Sequence, residues 1–190
     1  TQRMEAMKFI VFLAFCSMAA AGRRRPSGPV GPLRISDLTN IDERLYIKWR
    51  DYNITTTNLC HSATKESSSG KEFVYTLRFL QKGYEHLTLY RTKLTTLATE
   101  GHVENAAKYR FGPGYPEVIR KLIYSNPTEG CFILQEDIDD HTKGCQLVQT
   151  ASTIDNGVPP DCKRAYRAYC STNKTALYRY YCPYEEDIIR

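Results

Sequence analysis

The sequence predicts an all-β protein, either a sandwich or an up-and-down barrel, with one helix close to the carboxyl end. Three observations lead to this fold class. Roughly eight short apolar or Thr-rich runs recur at regular spacing, separated by turn residues. Over residues 73–79, large apolar side chains occupy every second position, as in a strand with one buried face. Residues 162, 166, 169 and 170 are Cys or Tyr at a spacing that fits one face of a helix.

The predicted strands follow one another closely. A helical turn begins before them at Ser36, whose hydroxyl group suits the N-cap position. Trp49, in the first strand, is expected to plug the base of a barrel. The strands are predicted over residues 46–52, 59–64, 73–79, 87–94, 105–111, 118–124, 131–135 and 146–150.

The helix follows a Pro-Pro pair, with Asp161 as its expected N-cap. Because Cys162 and Cys170 lie on one helical face, two disulfides are expected to attach the helix to the sheet. A final strand over residues 176–181 brings Cys182 back to the strands. This order of elements is the plan of the lipocalins, whose barrels of about eight strands can hold one small ligand.

The amino terminus is predicted to direct secretion. Lys8 precedes an apolar run over residues 9–18, and three alanines follow, which is the layout of a signal peptide over residues 1–21. The run is shorter than the roughly 20 apolar residues of a membrane-spanning helix, so no membrane association is expected. Residues 22–33, rich in Arg, Pro and Gly, are expected to form a flexible tail, which leaves one domain over residues 34–190.

Composition and charge narrow the class of function. The chain is 25% charged and 42% hydrophobic, which is typical of a globular domain. Its net charge of +5 is spread along the sequence, so no nucleic-acid partner is expected. The histidines are scattered and no nucleophile elbow, HExxH motif or P-loop is present, so the sequence predicts neither an enzyme nor a bound cofactor. Asn53 and Asn173 begin two sequons and are expected to be N-glycosylated.

The cysteines form an even set once the signal peptide is removed. The chain has seven, and Cys16 lies in the predicted signal peptide. An even set in a secreted protein predicts three disulfides, with the pairing left open by spacing alone. A zinc site is the alternative and is disfavoured, because no CxxC or HxxxH pair occurs. The six that remain are Cys60, Cys131, Cys145, Cys162, Cys170 and Cys182.

Several motifs around these cysteines resemble a known family. They are LYIKWRDYN leading to NLC at Cys60, GCFILQ at Cys131, GCQLV at Cys145, VPPDCKRAYRAYC ending at Cys170, and YYC at Cys182. With their spacing they cover most of residues 36–183, and over this range the chain resembles the tick salivary lipocalins, the family of the histamine-binding proteins. The resemblance implies a secreted, monomeric, eight-stranded antiparallel up-and-down barrel with a C-terminal helix. It also implies the disulfides Cys60–Cys182, Cys131–Cys162 and Cys145–Cys170.

The resemblance further implies a ligand site inside the barrel. Relatives that bind amines use interior carboxylates, because a buried ammonium group needs an anion. The matching residues here are Thr55, Thr92 and Gln146, all uncharged. A neutral or amphipathic lipid, such as a fatty acid, an eicosanoid or a sterol, is therefore favoured over a biogenic amine such as histamine. The interior candidates are Tyr52, Thr55, Tyr75, Tyr90, Thr92, Phe111 and Gln146.

Most other charged side chains are predicted to face solvent. Arg78, Arg91 and Arg110 lie on predicted strands and would meet a ligand carboxylate only if they pointed inward. The acidic cluster over residues 136–141 lacks the spacing of a calcium loop and is predicted to be the solvated tip of a hairpin, so no metal site is expected. The 14 tyrosines are expected to contribute much of the barrel lining.

The predicted function is the sequestration of a small host mediator, an amine or a lipid, which would suppress host inflammation and immunity. The alternative hypothesis is an immunomodulator that binds a host protein or immune cell through loops such as residues 98–105 or 136–144. In that case the cavity would be incidental.

Overall fold

The computed structural model describes residues 31–101 and 103–184. The predicted signal peptide and most of the predicted tail lie outside the described residues. No helix within the described ranges is long and apolar enough to span a membrane. The elements are α1 (Ser36–Thr39), β1 (Leu45–Arg50), β2 (Leu59–Ser69), β3 (Glu72–Leu80), β4 (Leu87–Ala98), β5 (Glu104–Arg110), β6 (Glu117–Asn126), β7 (Cys131–Asp137), β8 (Lys143–Thr150), α2 (Pro160–Tyr169) and β9 (Thr175–Ala176).

The first eight strands form a closed antiparallel up-and-down barrel, as the sequence predicts. Each strand pairs with its neighbour in sequence from β2 to β8, and β1 lies between β8 and β2. Leu45 pairs with both Thr150 of β8 and Ala63 of β2, so the sheet has no open edge at this end. Closure satisfies the backbone groups that an edge strand would leave unpaired.

The short helix α1 closes one end of the barrel, called the base here. The backbone N–H of Ile35 donates to the carbonyl of Glu104 (2.8 Å), and Ser125 Oγ donates to Asp37 Oδ2 (2.9 Å). The opposite end, called the mouth, carries the loops over residues 51–58, 81–86, 111–116 and 138–142. The predicted N-cap at Ser36 is wrong: Ile35 occupies that position and α1 has no side-chain cap.

Helix α2 packs against the outside of β6, β7 and β8. It begins at Pro160 with Pro159 as N-cap, so the expectation for Asp161 is also wrong. A proline is well accommodated in the first helical turn, where its missing N–H group has no helical partner. Cys162, Ala165 and Tyr166 are buried, whereas Tyr169 is 63% exposed. The helical face that meets the sheet is therefore narrower than the predicted one.

The final strand is much shorter than predicted. Only Thr175–Ala176 pairs with β1. Leu177 then bridges two strands, because its N–H donates to the Lys48 carbonyl (3.1 Å) and its carbonyl accepts from Cys60 N–H (2.8 Å). A turn at Arg179 leads to Cys182, whose disulfide attaches this segment to Cys60 of β2.

Three disulfides link the barrel to the segments that follow it. Cys60–Cys182 joins residues 122 positions apart, and Cys131–Cys162 and Cys145–Cys170 attach both ends of α2 to β7 and β8. These are the three pairs that the resemblance implies. Disulfides of this kind persist in oxidising compartments and fit an extracellular protein.

The apolar side chains form one cluster inside the barrel and two outside it. The inner cluster includes Phe132 and Leu134. Trp49 belongs to the cluster under α2, where its ring meets that of Tyr166 edge-on at 5.6 Å. The prediction that Trp49 plugs the base is therefore wrong. β1 has a register irregularity between Ile47 and Trp49, and the extra residue turns Trp49 outward.

The tyrosines contribute less to the barrel lining than expected. Tyr75 and Tyr109 lie in the inner cluster. Four other buried tyrosines pack outside the barrel, against α2 or the carboxyl-terminal segment. They are Tyr46, Tyr124, Tyr166 and Tyr178.

Candidate ligand-binding site

The barrel encloses a narrow, apolar cavity of about 60 Å³. It extends from Leu38 of α1 at the base to Phe111 and Gln146 near the mouth. This volume is below the usual range for small-molecule sites, so a lipid fits only when the lining side chains move apart. The lining is mostly apolar, and its polar side chains are those of His61, Ser62, Tyr75, Thr92, Tyr109 and Gln146.

Four of the predicted site residues line this cavity. Tyr75 and Thr92 face each other across β3 and β4, where they are paired in register. Gln146 lies on the inner face of β8, and Phe111 follows β5 at the mouth. The structure thus brings these four candidates together around one space.

The other three candidates lie elsewhere. Tyr52 follows β1 and lies at the mouth, where it accepts a hydrogen bond from the Gln146 amide. Tyr90 is half-buried and packs against the inner cluster without lining the cavity. Thr55 is exposed in the mouth loop over residues 51–58, because β1 ends at Arg50.

A layer of buried and half-buried polar side chains lies at the mouth, where Phe111 lines both this layer and the cavity. Arg120 Nη2 lies 2.6 Å from Glu136 Oε2, and both side chains are less than a tenth exposed. The two residues face each other in register between β6 and β7. The Arg120 guanidinium carbon also lies 4.4 Å from the centroid of the Tyr109 ring. This layer is called the mouth layer below and consists of Arg50, Tyr52, Arg120 and Glu136.

Arg50 is the second buried arginine of the mouth layer. Its Nε donates to the Tyr52 carbonyl (3.1 Å) and its Nη2 to the Asn53 carbonyl (3.3 Å). Burial lowers the pKa of Arg50 from its ordinary value, and a guanidinium group nevertheless stays charged at any physiological pH. Burial opposes the charge of Arg120 as well, but Tyr109 and Glu136 outweigh it and raise its pKa. The mouth layer therefore holds two positive charges and one negative charge.

The mouth layer changes two sequence expectations. Glu136 was expected at a solvated hairpin tip, but it is only 6% exposed, so the barrel interior does contain a carboxylate. The residue lies on the inner face of β7, two positions after Leu134. Arg91 and Arg110 are exposed, as expected for arginines on barrel strands, and the inward-facing arginines are Arg50 and Arg120.

Tyr52 is held in the mouth layer by a close approach to Gly144. A Cβ atom at residue 144 would clash with the Tyr52 ring. Glycine at this position leaves room for the Tyr52 ring beside β8. Burial, together with the Glu136 carboxylate, raises the pKa of the Tyr52 phenol, which therefore stays neutral.

His61 is a cavity residue that the sequence analysis did not select. It is 3% exposed, and its ring stacks between Phe79 (5.8 Å between centroids) and Phe111 (5.2 Å). Burial first, and then the charge of Arg50, lower the pKa of His61 to about 3, so the ring is neutral. His61 precedes Ala63 by two positions on the same strand, and residues two apart face the same side of a sheet. That spacing could have indicated an inward-facing His61, since both residues line the cavity.

Comparison with known proteins defines the class of protein. The solved structures that this protein resembles include insecticyanin from the tobacco hornworm Manduca sexta. The TM-score is 0.55 at 11% identity, and the match covers 78% of this chain and 83% of that chain. The cockroach allergen Per a 4 is similar as well (TM-score 0.58, 10% identity, 84% and 99%). The fold is that of a lipocalin.

The family follows from the sequence itself. The family described as tick histamine binding protein matches residues 36–187, and the chain belongs to it. Japanin from the tick Rhipicephalus appendiculatus, solved bound to cholesterol, has a similar fold (TM-score 0.54, 12% identity, 72% of this chain and 92% of that chain). No curated protein matches the chain.

Proposed function

We propose that this lipocalin sequesters one amphipathic lipid, with the hydrocarbon part in the cavity and an anionic head group at the mouth layer. The observation that carries the proposal is the charge of that layer. Arg50 and Arg120 are buried above an apolar cavity and face a single carboxylate, that of Glu136. A buried excess of positive charge favours an anion and opposes a cation.

The hydrogen-bonding capacity of Arg120 supports the same head group. Its Nε and Nη1 are buried and make no hydrogen bond with any residue that the structure describes. Buried donors of this kind are costly unless they are paired. A carboxylate offers acceptor oxygens in the geometry that a guanidinium group matches. A fatty acid or an eicosanoid carries such a head group.

An amine is a poorer fit. The three positions at which relatives would place an amine-binding acid hold Thr55, Thr92 and Gln146. The remaining acid, Glu136, is already paired with Arg120. An ammonium group at the mouth would have to compete with that guanidinium and would meet Arg50 as a like charge.

The biological role we propose is that of a secreted scavenger. The predicted signal peptide and the three disulfides support secretion. The family is that of tick histamine-binding proteins, so the mediator would come from the host, and its removal by mass action would suppress inflammation. Glycans on Asn53 and Asn173 are compatible with this role, because both side chains are exposed.

Calorimetric titration tests the proposal with hexadecanoic acid, cholesterol, histamine and serotonin. We expect one molecule of fatty acid per protein and no saturable amine binding. Arg50→Gln should weaken fatty-acid binding by about tenfold to a hundredfold, since a hydrogen bond between charged groups is lost. Arg110→Gln makes the same charge change on an exposed residue and should leave affinity unchanged.

Three outcomes would contradict the proposal in whole or in part. Histamine bound more tightly than the fatty acid would show that the mouth layer does not select anions. No binding of any of the four, with retained effects on host immune cells, would favour the alternative of a protein-binding immunomodulator. Tight binding of cholesterol alone would retain a lipid scavenger but remove the anionic head group.

A further inference from the structure

We propose that the bound lipid presents a hydroxyl group to Nδ1 of His61. This inference rests on the proposed function, because it requires a lipid in the cavity. It adds a specificity-determining contact below the mouth layer. The chemical class it selects is a hydroxylated lipid, either a hydroxy fatty acid or a sterol.

The tautomer of His61 is set by its protein partner. Nε2 lies 3.2 Å from the backbone carbonyl of Asn58, which only accepts hydrogen bonds. Nε2 must therefore carry the proton. A neutral imidazole holds a single ring proton, so Nδ1 has a free lone pair and acts as an acceptor.

Nδ1 lacks a partner within the described part of the protein. It is buried and makes no hydrogen bond, while the ring lines the cavity. Unpaired buried polar atoms are uncommon in folded proteins, and this one at the cavity wall points to a polar group on the occupant.

The surroundings of His61 select a donor on that occupant. The rings of Phe79 and Phe111 both stack on the imidazole, and the charge of Arg50 lowers its pKa. Because Arg50 opposes protonation, the ring remains neutral and does not attract an anion. A lipid hydroxyl group donates one hydrogen bond and satisfies Nδ1 without bringing a charge into the cavity.

The depth of His61 locates the hydroxyl group along the lipid. Phe111 stacks on His61 and also lies at the mouth beside Arg50 and Arg120. His61 is therefore close below the mouth layer and far from Leu38 at the base. In a fatty acid whose carboxylate meets the arginines, the matching hydroxyl group lies near the head and not at the tail.

The test uses hexadecanoic acid with its 3-hydroxy and 16-hydroxy derivatives, together with cholesterol. In the full chain we expect the 3-hydroxy acid to bind about tenfold more tightly than hexadecanoic acid, because it forms one additional buried hydrogen bond. The 16-hydroxy acid should show no such gain. His61→Phe keeps the aromatic stack but removes the acceptor, so it should abolish the gain while still binding hexadecanoic acid.

Each outcome decides the inference. Binding of hexadecanoic acid without any gain from the 3-hydroxyl group would overturn it and leave the proposed function standing. If no fatty acid binds, the anionic head group of the proposed function fails and the cholesterol measurement decides. A tenfold loss of cholesterol affinity in His61→Phe would then support the hydroxyl contact. Unchanged cholesterol binding in that variant, or no binding of any lipid, would overturn it.

Discussion

His61 shows at the residue scale how burial determines charge. Its ring lies between two phenylalanines in a cavity wall, and its pKa falls to about 3. An exposed histidine has a pKa near 6.5. The site of the folded protein therefore contains an imidazole that is neutral at physiological pH.

This shift makes stability depend on pH. Below about pH 6.5 the unfolded chain binds a proton at His61 that the folded protein does not bind, so the free energy of unfolding falls as pH falls toward 3. Between pH 7.5 and pH 5.0 we expect His61 to account for a loss of about 2 kcal/mol. Urea unfolding of the wild type and His61→Phe at both pH values measures it.

The expected result is a smaller pH effect in the variant than in the wild type. His141→Gln is the control, because His141 is exposed and should not change the pH effect. Equal pH effects in the wild type and His61→Phe would contradict the assignment of a neutral, buried imidazole.

At Glu136, stability and ligand binding make opposite demands. Glu136→Gln leaves the Arg120 guanidinium buried without an anion, and breaking a buried pair in this way costs about 3–5 kcal/mol. The same change should strengthen binding of hexadecanoic acid, because the head group becomes the only anion near Arg120. Urea unfolding and calorimetric titration give the two quantities.

The control for that prediction is Glu117→Gln. Glu117 pairs with Lys108 at 3.6 Å on the surface, where an ion pair contributes about 1 kcal/mol or less. It should therefore change neither quantity by much. Weaker fatty-acid binding by Glu136→Gln would contradict the proposed competition for Arg120.

At the scale of elements, α2 is attached at both of its ends to the outside of the barrel. Asp51 strengthens one end of it, since Oδ1 accepts from Cys145 N–H (2.6 Å) and Oδ2 from Ser171 N–H (2.7 Å). These bonds join the same two segments as the disulfide Cys145–Cys170. The helix therefore has both covalent and hydrogen-bonded links to β8.

Removing that disulfide should reduce stability without affecting the ligand site. The Cys145→Ser/Cys170→Ser double variant loses a cross-link that closes a chain segment of 25 residues. The expected loss is about 3 kcal/mol by loop entropy. Lipid affinity should be unchanged, because α2 packs on the outer face of the sheet. Thermal unfolding and calorimetric titration test both statements.

The comparison variant is Cys60→Ser/Cys182→Ser. It opens a longer segment, of 122 residues, and should lower the melting temperature more. A loss of lipid binding in the Cys145→Ser/Cys170→Ser variant would show that α2 determines the shape of the cavity.

At the scale of the whole molecule, ligand binding and the stability of the folded barrel are coupled. A ligand that binds only the folded state stabilises it by mass action. At a free concentration one hundred times the dissociation constant, hexadecanoic acid should add about 2.7 kcal/mol. For a domain of this size that corresponds to a rise in melting temperature of roughly 5–10 °C.

Differential scanning fluorimetry at several lipid concentrations measures this rise. Histamine at the same concentrations is the control and should leave the melting temperature unchanged. A rise with histamine and none with the fatty acid would contradict a lipid-binding barrel.

Much of the whole fold followed from local sequence features. β3 alternates large apolar side chains with polar ones because only its inner face is buried, and the structure places the strand over Glu72–Leu80. The turn residues indicated the succession of eight strands, and the cysteine motifs indicated the family. These features depend on residues close in sequence, so the sequence by itself determined them.

The chemistry of the mouth was decided by the tertiary structure. The outer faces of β7 and β8 pack against α2, so both strands are buried on both sides and show no alternation that would mark Glu136 or Gln146 as inward. The irregularity in β1 turns Trp49 outward and Arg50 inward. Arg120 meets Glu136 only through the register of β6 and β7. A single sequence carries no direct record of such pairings, because bulges and strand register depend on contacts between residues distant along the chain.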